Sequence, residues 1–475
     1  MDGLEAIEMR LSDILSLSDI SRLESEFYVA KTLNCDKGFL GKDILSFVQY
    51  GTSEELNEDN CGYPVLRLNE FDSNFIGVPS KYCSKLNEIT FEELRLKKGD
   101  VLICRTNGNP KLVGKSAIVL EDTTYAFASY LFRIRPKTSI INSETLTIYL
   151  NSKHGRNEIE KYSMTSNQTN FSPAKFREIF IPHFSSKFQD IIGNLVSISF
   201  NLHKNSKTQY KEVENILSNE LGYKGWKPTE ENTATKKLSE SFKITGRLDS
   251  EYYQPKYDEV LSKITKTYNL KLKDIVRIKK SIEPGSSVYQ EEGLPFIRVS
   301  NLTKYGITQP DICIPHNITK NIENLKPKKD TILFSKDGSI GIAYKVEENL
   351  EAITSGAILH LRIKNKDILP DYLTLVLNSV LTQLQAERDS GGSIIQHWRL
   401  SDIENVEIPI LEYDKQKKIS EKIQEAFKLK KVSESLLEIA KTGVEKAIEE
   451  GDNSAIEWIN VSIKKLDGGY KLCQE

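Results

Sequence analysis

Apolar residues along the chain follow two rhythms. Short runs bounded by Gly, Pro, Asn and Asp predict strands at DVLIC (100–104), SAIVL (116–120) and YLFRIR (130–135). The same kind of run returns at TILF (331–334), GIAYKV (341–346) and AILHLRI (357–363). A 3.6-residue period predicts helices over 143–162 and 371–389. Two longer stretches, 187–222 and 414–451, carry a different signal. Their apolar and small residues advance in alternating steps of four and three: Ile192, Val196, Ser199, His203, Ser206, Tyr210, Val213 and Leu217 in the first. In the second they are Ile419, Ile423, Ala426, Lys430, Ser433, Leu437, Ala440, Val444 and Ala447. Sustained 3.5-residue spacing predicts helices wrapped on each other, and 36 residues would make a rod of about 50 Å.

The order of these elements occurs twice. SMTSNQTNFSPAKFREIFIP (163–182) aligns without a gap on SGGSIIQHWRLSDIENVEIP (390–409). The same register carries Gln189 onto Gln416 and Phe200 onto Phe427. Upstream, PVLRLNEF (64–71) answers PFIRVSNL (295–302), and RLESEFY (22–28) answers RLDSEYY (247–253). GDVLICRTNGNPKLVGK (99–115) answers KDTILFSKDGSIGI (329–342) with three residues inserted in the first copy. The shift of 227 residues between 163 and 390 far exceeds solenoid repeats of ~20–50 residues, so this is a domain duplication. The expected organisation is a first α/β (mixed α+β) domain over 1–185, a long helix over 186–221 and a linker over 222–240. A second such domain (241–412), a second long helix (413–451) and a tail (452–475), read as a short appended strand or extension, complete it. The copies share their apolar skeleton and differ in the polar residues between.

Composition narrows the function by exclusion. No run of about 18 apolar residues is present to span a bilayer, and MDGLEAIEMRL lacks a basic, apolar signal pattern, so a cytoplasmic location is expected. Six scattered cysteines form no C-x-x-C pair and six histidines no H-x-x-x-H spacing, so no metal is expected. GNPKLVGKS (108–116) imitates a phosphate loop, but five residues separate its glycines where four are required, and the second copy keeps no Gly-Lys-Ser. No [ND]-P-P-[YF], G-x-G-x-x-G or G-x-S-x-G motif is present. No catalytic residue and no cofactor are therefore expected. A net charge of −2 is not the basic footprint of a nucleic-acid binder, so DNA binding would require positive charge sorted onto one face.

The duplication, the GDVLICRTNG…GKSAIV block and the IP-x(6)-Q-x-x-I start of each long helix (Ile181-Pro182…Gln189-x-x-Ile192 and Ile408-Pro409…Gln416-x-x-Ile419) resemble the specificity subunit of type I restriction-modification enzymes. The resemblance covers residues 1 to about 450. It implies two target-recognition domains, each reading half of a split double-stranded DNA sequence, and long helices pairing as an antiparallel coiled coil that sets the spacing. It further implies docking of two DNA methyltransferase subunits, with restriction subunits added outside, and no catalysis by the chain itself. A related defence system with a fused methyltransferase-nuclease partner and a non-DNA scaffold stand as alternatives.

Loop positions where the copies disagree are the expected DNA contacts. In the first copy these are Arg105, Thr106, Asn107, Lys111 and Lys115, with Gln168, Thr169 and Asn170. In the second they are Ser335, Lys336, Asp337, Ser339, Gln396, His397 and Arg399. Asn170 or Ser172 could instead cap the helix that begins PAKFREI. Phe171 and Trp398, aromatic in both copies, are expected in the core. The RL[ED]SE[FY]Y motif is too alike in the two copies to discriminate half-sites. It is expected to be a strap against the other copy's helix or a methyltransferase subunit.

Overall fold

In each copy four strands lie in one sheet in the same order, and in the first copy the short strands Phe75–Ile76 and Phe71–Asp72 extend that sheet to six. The first copy uses β1 (Leu45–Tyr50), β2 (Val101–Cys104), β3 (Ser116–Ile118) and β4 (Leu131–Pro136), laid out β1-β4-β2-β3. The second uses β5 (Val276–Lys280), β6 (Ile332–Ser335), β7 (Ala343–Lys345) and β8 (Ile358–Ile363), laid out β5-β8-β6-β7. A smaller three-stranded sheet, one parallel and one antiparallel pair, recurs as well: 63–66 with 81–83 and 126–127, and 294–297 with 313–314 and 353–354. The structure is a computed structural model. It describes residues 8, 10–12, 37–163, 169–319, 321–390 and 396–466.

Helices α1 (Ser143–Asn151) and α2 (Lys153–Ser163) serve the first sheet, and α4 (Pro370–Leu377) and α5 (Val380–Asp389) the second. The long helices are α3 (Ser186–Glu220) and α6 (Tyr413–Glu450). The chain divides into two compact units: 1–204 with 429–475, and 205–428. Each long helix therefore contributes one part to each unit.

In the first unit, Ser199 Oγ lies 2.8 Å from Ser433 Oγ and 2.9 Å from the Ser433 carbonyl. Ile192 Cδ1 stands 3.9 Å from where a Cβ on Gly443 would be. As the first helix advances, its partner position recedes, so the two segments run antiparallel. In the second unit, Tyr210 meets Phe427 edge to face at 6.0 Å, and Glu220 pairs with Lys415 at 2.7 Å, the same sense of pairing. Every seam position named from the sequence is buried except Lys430, which pairs with Glu434 on its own helix. An ammonium on a long stem reaches water more cheaply than it is desolvated.

Three expectations change. Residues 452–466 are neither strand nor extension but helix α7 (Asp452–Leu466), which buries Ala455, Ile456 and Ile459 in the first unit's core. Gly451 separates it from α6 with φ +91°, a turn that favours glycine. The second-copy strap packs on its own domain rather than the other copy's helix. Arg247 covers one approach to the Tyr252 ring at 4.3 Å, Arg388 of α5 another at 5.3 Å, and Arg247 Nη1 donates to the Asp389 carbonyl. Its first-copy equivalent, 22–28, lies outside the described residues.

The third change is register. Gly99 (φ +88°) and Asp330 (φ +63°) make the same turn before β2 and β6, donating to the Val119 and Val346 carbonyls. Gly114 and Gly341, both at φ +78°, close the following loop by donating to the carbonyls of Cys104 and Ser335. Structural equivalence thus puts Ser335 on Cys104, Lys336 on Arg105 and Asp337 on Thr106, with four residues inserted in the first copy, not three. A single-residue slip turns every side chain to the opposite face of a strand.

Both copies also repeat their polar clasps. Asn151 donates to the Ser116 carbonyl and accepts from its N–H, and Asn378 does the same to Ala343. Gln189 and Gln416, the glutamines of the helix-start motif, each tie two carbonyls and one N–H at the foot of a long helix. The copies differ at the polar centre of the sheet. In the first, buried Arg133 pairs with Asp100 at 3.1 Å. In the second, His360 hydrogen-bonds the Thr354 hydroxyl at 2.8 Å. Burial, with the Lys279 and Arg362 cations nearby, pushes the His360 imidazole down to about 4 from 6.5.

The unfolded chain therefore takes up this proton first. Stability of the second unit is full above the ordinary histidine value and falls as pH drops towards about 4. The expected loss is about 3 kcal/mol across that window. Denaturant titrations of wild type and His360→Gln at pH 7 and pH 4.5 check this: the variant loses less stability on acidification.

Candidate nucleic-acid interface

The sequence candidates in each copy come from two places about sixty residues apart, and the fold joins them. After β2 the chain enters a loop over 105–115, and the segment 169–171 runs beside its first residues. The Phe171 N–H donates to the Arg105 carbonyl at 2.8 Å, Thr106 bridges to Asn170, and the Thr106 hydroxyl donates to the Thr169 carbonyl. In the second copy the Trp398 N–H donates to the Lys336 carbonyl at 2.9 Å, Asp337 bridges to His397, and the Gly338 N–H donates to the Gln396 carbonyl. Phe171 and Trp398, 0% and 1% exposed, anchor these crossings from inside. They are core residues with no face to offer a base. Ser172 caps the short helix Pro173–Phe176 by accepting from the Lys175 N–H.

The first-copy loop is shaped from within. Asn107 Oδ1 accepts the Asn109 N–H at 2.8 Å, and Asn109 Oδ1 accepts the Lys111 N–H at 3.0 Å, starting the turn Pro110–Leu112. Lys111 is exposed at this turn. Lys115 lies on the return limb, half-buried, where burial pushes its ammonium below the ordinary lysine value. The Arg105 guanidinium lies 5.3 Å from the Tyr50 ring, and the main-chain N–H of Arg105 donates to the Tyr130 carbonyl at 2.8 Å. Among the described residues, Arg105 Nε and Asn170 Oδ1 are buried without a hydrogen-bond partner. Gln168 lies outside the described residues.

The second-copy loop carries mixed charge. Asp337 lies between Lys336, with which it pairs, and His397, whose Nδ1 stands 2.9 Å from Asp337 Oδ1. Gln396, His397 and Ser339 are exposed. Arg399 is exposed and pairs with Asp402 at 2.9 Å, at the start of helix Leu400–Glu404. Ser335 is the correction: it is fully buried, and its hydroxyl donates to the Ser339 carbonyl at 2.6 Å and accepts the Ile342 N–H. It closes the loop from below, because it occupies the inward position that Cys104 fills in the first copy.

Tyr50 and Tyr130, 47% and 41% exposed beside Arg105, were not singled out in the sequence. No motif marks them, since Tyr50 belongs to β1 and reaches the loop only through strand pairing. Arg156 and Gln383 were also missed, although both occupy the same place in the two aligned copies.

The frame is repeated with its clasps intact and its loops changed, so the two copies define a duplicated mount carrying two unlike polar loops. Residues 266–442 match the family described as the type I restriction modification DNA specificity domain. The EcoKI type I restriction enzyme specificity subunit of Escherichia coli is 23% identical over 355 residues, 71% of this chain and 69% of its own. The protein of Methanocaldococcus jannaschii bearing the name of the MjaX specificity subunit is 22% identical over 414 residues, 84% of this chain and 89% of its own. The type I restriction-modification S subunit of M. genitalium, a solved structure, aligns over 91% of this chain and 96% of its own at 14% identity with a TM-score of 0.35. Over most of its length the chain is thus similar to proteins named as type I restriction enzyme specificity subunits.

Proposed function

We propose that this chain is the DNA-recognition subunit of a type I restriction-modification complex, with one half of a split duplex sequence read by each copy. The carrying observation is that the two copies share a mount down to single hydrogen bonds, while the loop on that mount differs in length and charge. A pair of identical halves would read a palindrome. Unlike loops on one frame read two unlike half-sites. Arg105 and Lys336, a cation at the same place in each copy, together with Thr106, Asn170, Gln396 and His397, supply donors and acceptors of the kind that bond base edges. Lys111, Ser339 and Arg399 are exposed and suit phosphate contacts, which position the protein without carrying sequence information.

Methyl transfer and cleavage belong in this reading to partner chains, two methyltransferase subunits and the restriction subunits, and the chain itself is non-catalytic and cytoplasmic. The long helices set the half-site spacing and dock the methyltransferase. No helix among the described residues is long and apolar enough to cross a membrane.

Co-expression with the neighbouring methyltransferase gene, followed by single-molecule sequencing of total DNA, tests the reading. The expected result is a methylated motif with two defined halves and a fixed gap, absent when this chain is deleted. An active partner that writes no sequence-specific mark would overturn it in favour of a protein scaffold.

A further inference from the structure

Beneath each reading loop a polar side chain reaches up from the helix below. In the first copy, Arg156 of α2 donates through Nη2 to the carbonyls of Lys111 at 3.1 Å and Val113 at 2.7 Å. In the second, Gln383 of α5 donates through Nε2 to the carbonyl of Gly341 at 2.7 Å and to that of Leu377 at 3.2 Å. The two residues occupy equivalent positions, five residues after the clasping asparagines Asn151 and Asn378. Each also lies against the closing glycine of its loop. A Cβ on Gly114 would come 3.1 Å from Arg156 Nη1, and one on Gly341 2.8 Å from Gln383 Nε2. Both glycines sit at φ +78°, and at Gly114 a Cβ would meet Ile159 Cγ2 first, so each loop closes on a glycine with the donor beside it.

The two donors differ in reach as their loops differ in length. The first-copy loop has four more residues and an extra turn, Pro110–Leu112. The long arginine holds carbonyls on and just beyond that turn, and the shorter glutamine holds the closing glycine of the compact loop. Neither side chain belongs to the face assigned above to DNA.

We propose that Arg156 and Gln383 are positioning residues, each setting the conformation of one reading loop and hence the base selectivity of one half-site. The inference rests on the DNA-recognition reading and adds residues to it that do not touch DNA. A loop tip released by about 1 Å loses its alignment with base edges, and misplacement on this scale costs on the order of a hundredfold in position-sensitive chemistry.

The test uses the full chain co-expressed with its methyltransferase, with the methylated motif read by sequencing. Arg156→Met and Gln383→Met keep the stem and remove the donor. Arg156→Met is expected to reduce selectivity against one-base mismatches about tenfold or more in one half-site only, and Gln383→Met in the other only. Arg156→Lys, which keeps a donor and the charge, is expected to recover part of the lost selectivity. Equal loss at both halves, or reduced methylation with both halves of the motif unchanged, would show a merely structural role and overturn the proposal. If the Met variant of either copy fails to accumulate, Arg156→Lys and Gln383→Asn carry the test: Asn is too short to reach Gly341, so its half-site must still relax. A wild-type complex that writes no split motif defeats the DNA-recognition reading itself. A wild-type motif that both Met variants leave intact defeats only the positioning role.

Discussion

Trp398→Ala is expected to remove about 3–5 kcal/mol of stability from the second unit, enough to abolish recognition of one half-site while the other is still read. The indole is 1% exposed and packs at 5.7 Å between ring centroids from Phe334, the neighbour of buried Ser335 at the end of β6. Its own N–H in the main chain holds the Lys336 carbonyl, so the cavity opens at the root of the reading loop. Trp398→Phe should cost much less, about 1–2 kcal/mol, because the first copy fills the same place with Phe171 and because Nε1 has no hydrogen-bond partner to lose. Denaturant unfolding measures the stability difference. A loss for Trp398→Ala below about 1 kcal/mol would contradict the assignment of this residue to the core.

Arg105→Ala and Lys336→Ala are expected to act on different half-sites, each relaxing one base position by about 1–3 kcal/mol, that is about 5- to 150-fold. The two cations leave equivalent points of their frames, but they are held differently. Arg105 rests against Tyr50, whereas Lys336 pairs with Asp337, which also meets His397. Holding a guanidinium against an aromatic ring reduces the entropy lost when it bonds a base, so the arginine variant should show the larger effect. Tyr50→Ala should then reproduce a fraction of the Arg105→Ala loss. Methylation mapping of each variant against single-base mismatches reads all three outcomes. Simultaneous relaxation of both half-sites by either variant would mean that the loops do not read independently.

Much of the candidate site was legible in the sequence because disagreement between copies on a common apolar skeleton singles out the loops. Thr106 and Asn170, or Asp337 and His397, were chosen from separate segments and meet in the fold. Arg156 and Gln383 stayed invisible for a physical reason. Polar residues on an amphipathic helix usually face water, and nothing local distinguishes one that turns inward to hold a carbonyl. Ser335 failed for a related reason: VLIC and ILFS are apolar enough for the copies to be matched in either of two registers, and only the hydrogen bonds of the loop ends select one.

The sequence by itself determined the duplication, the long helices and the residues of their buried seam, because burial on one face writes a period into consecutive residues. It also determined that Phe171 and Trp398 belong to the core, through an aromatic kept where polar neighbours change. Tertiary structure alone decided the strand register, the strap's place on its own domain and the donors under the loops. Each of these depends on partners far away along the chain, and a hydrogen bond between distant segments leaves no period in either of them.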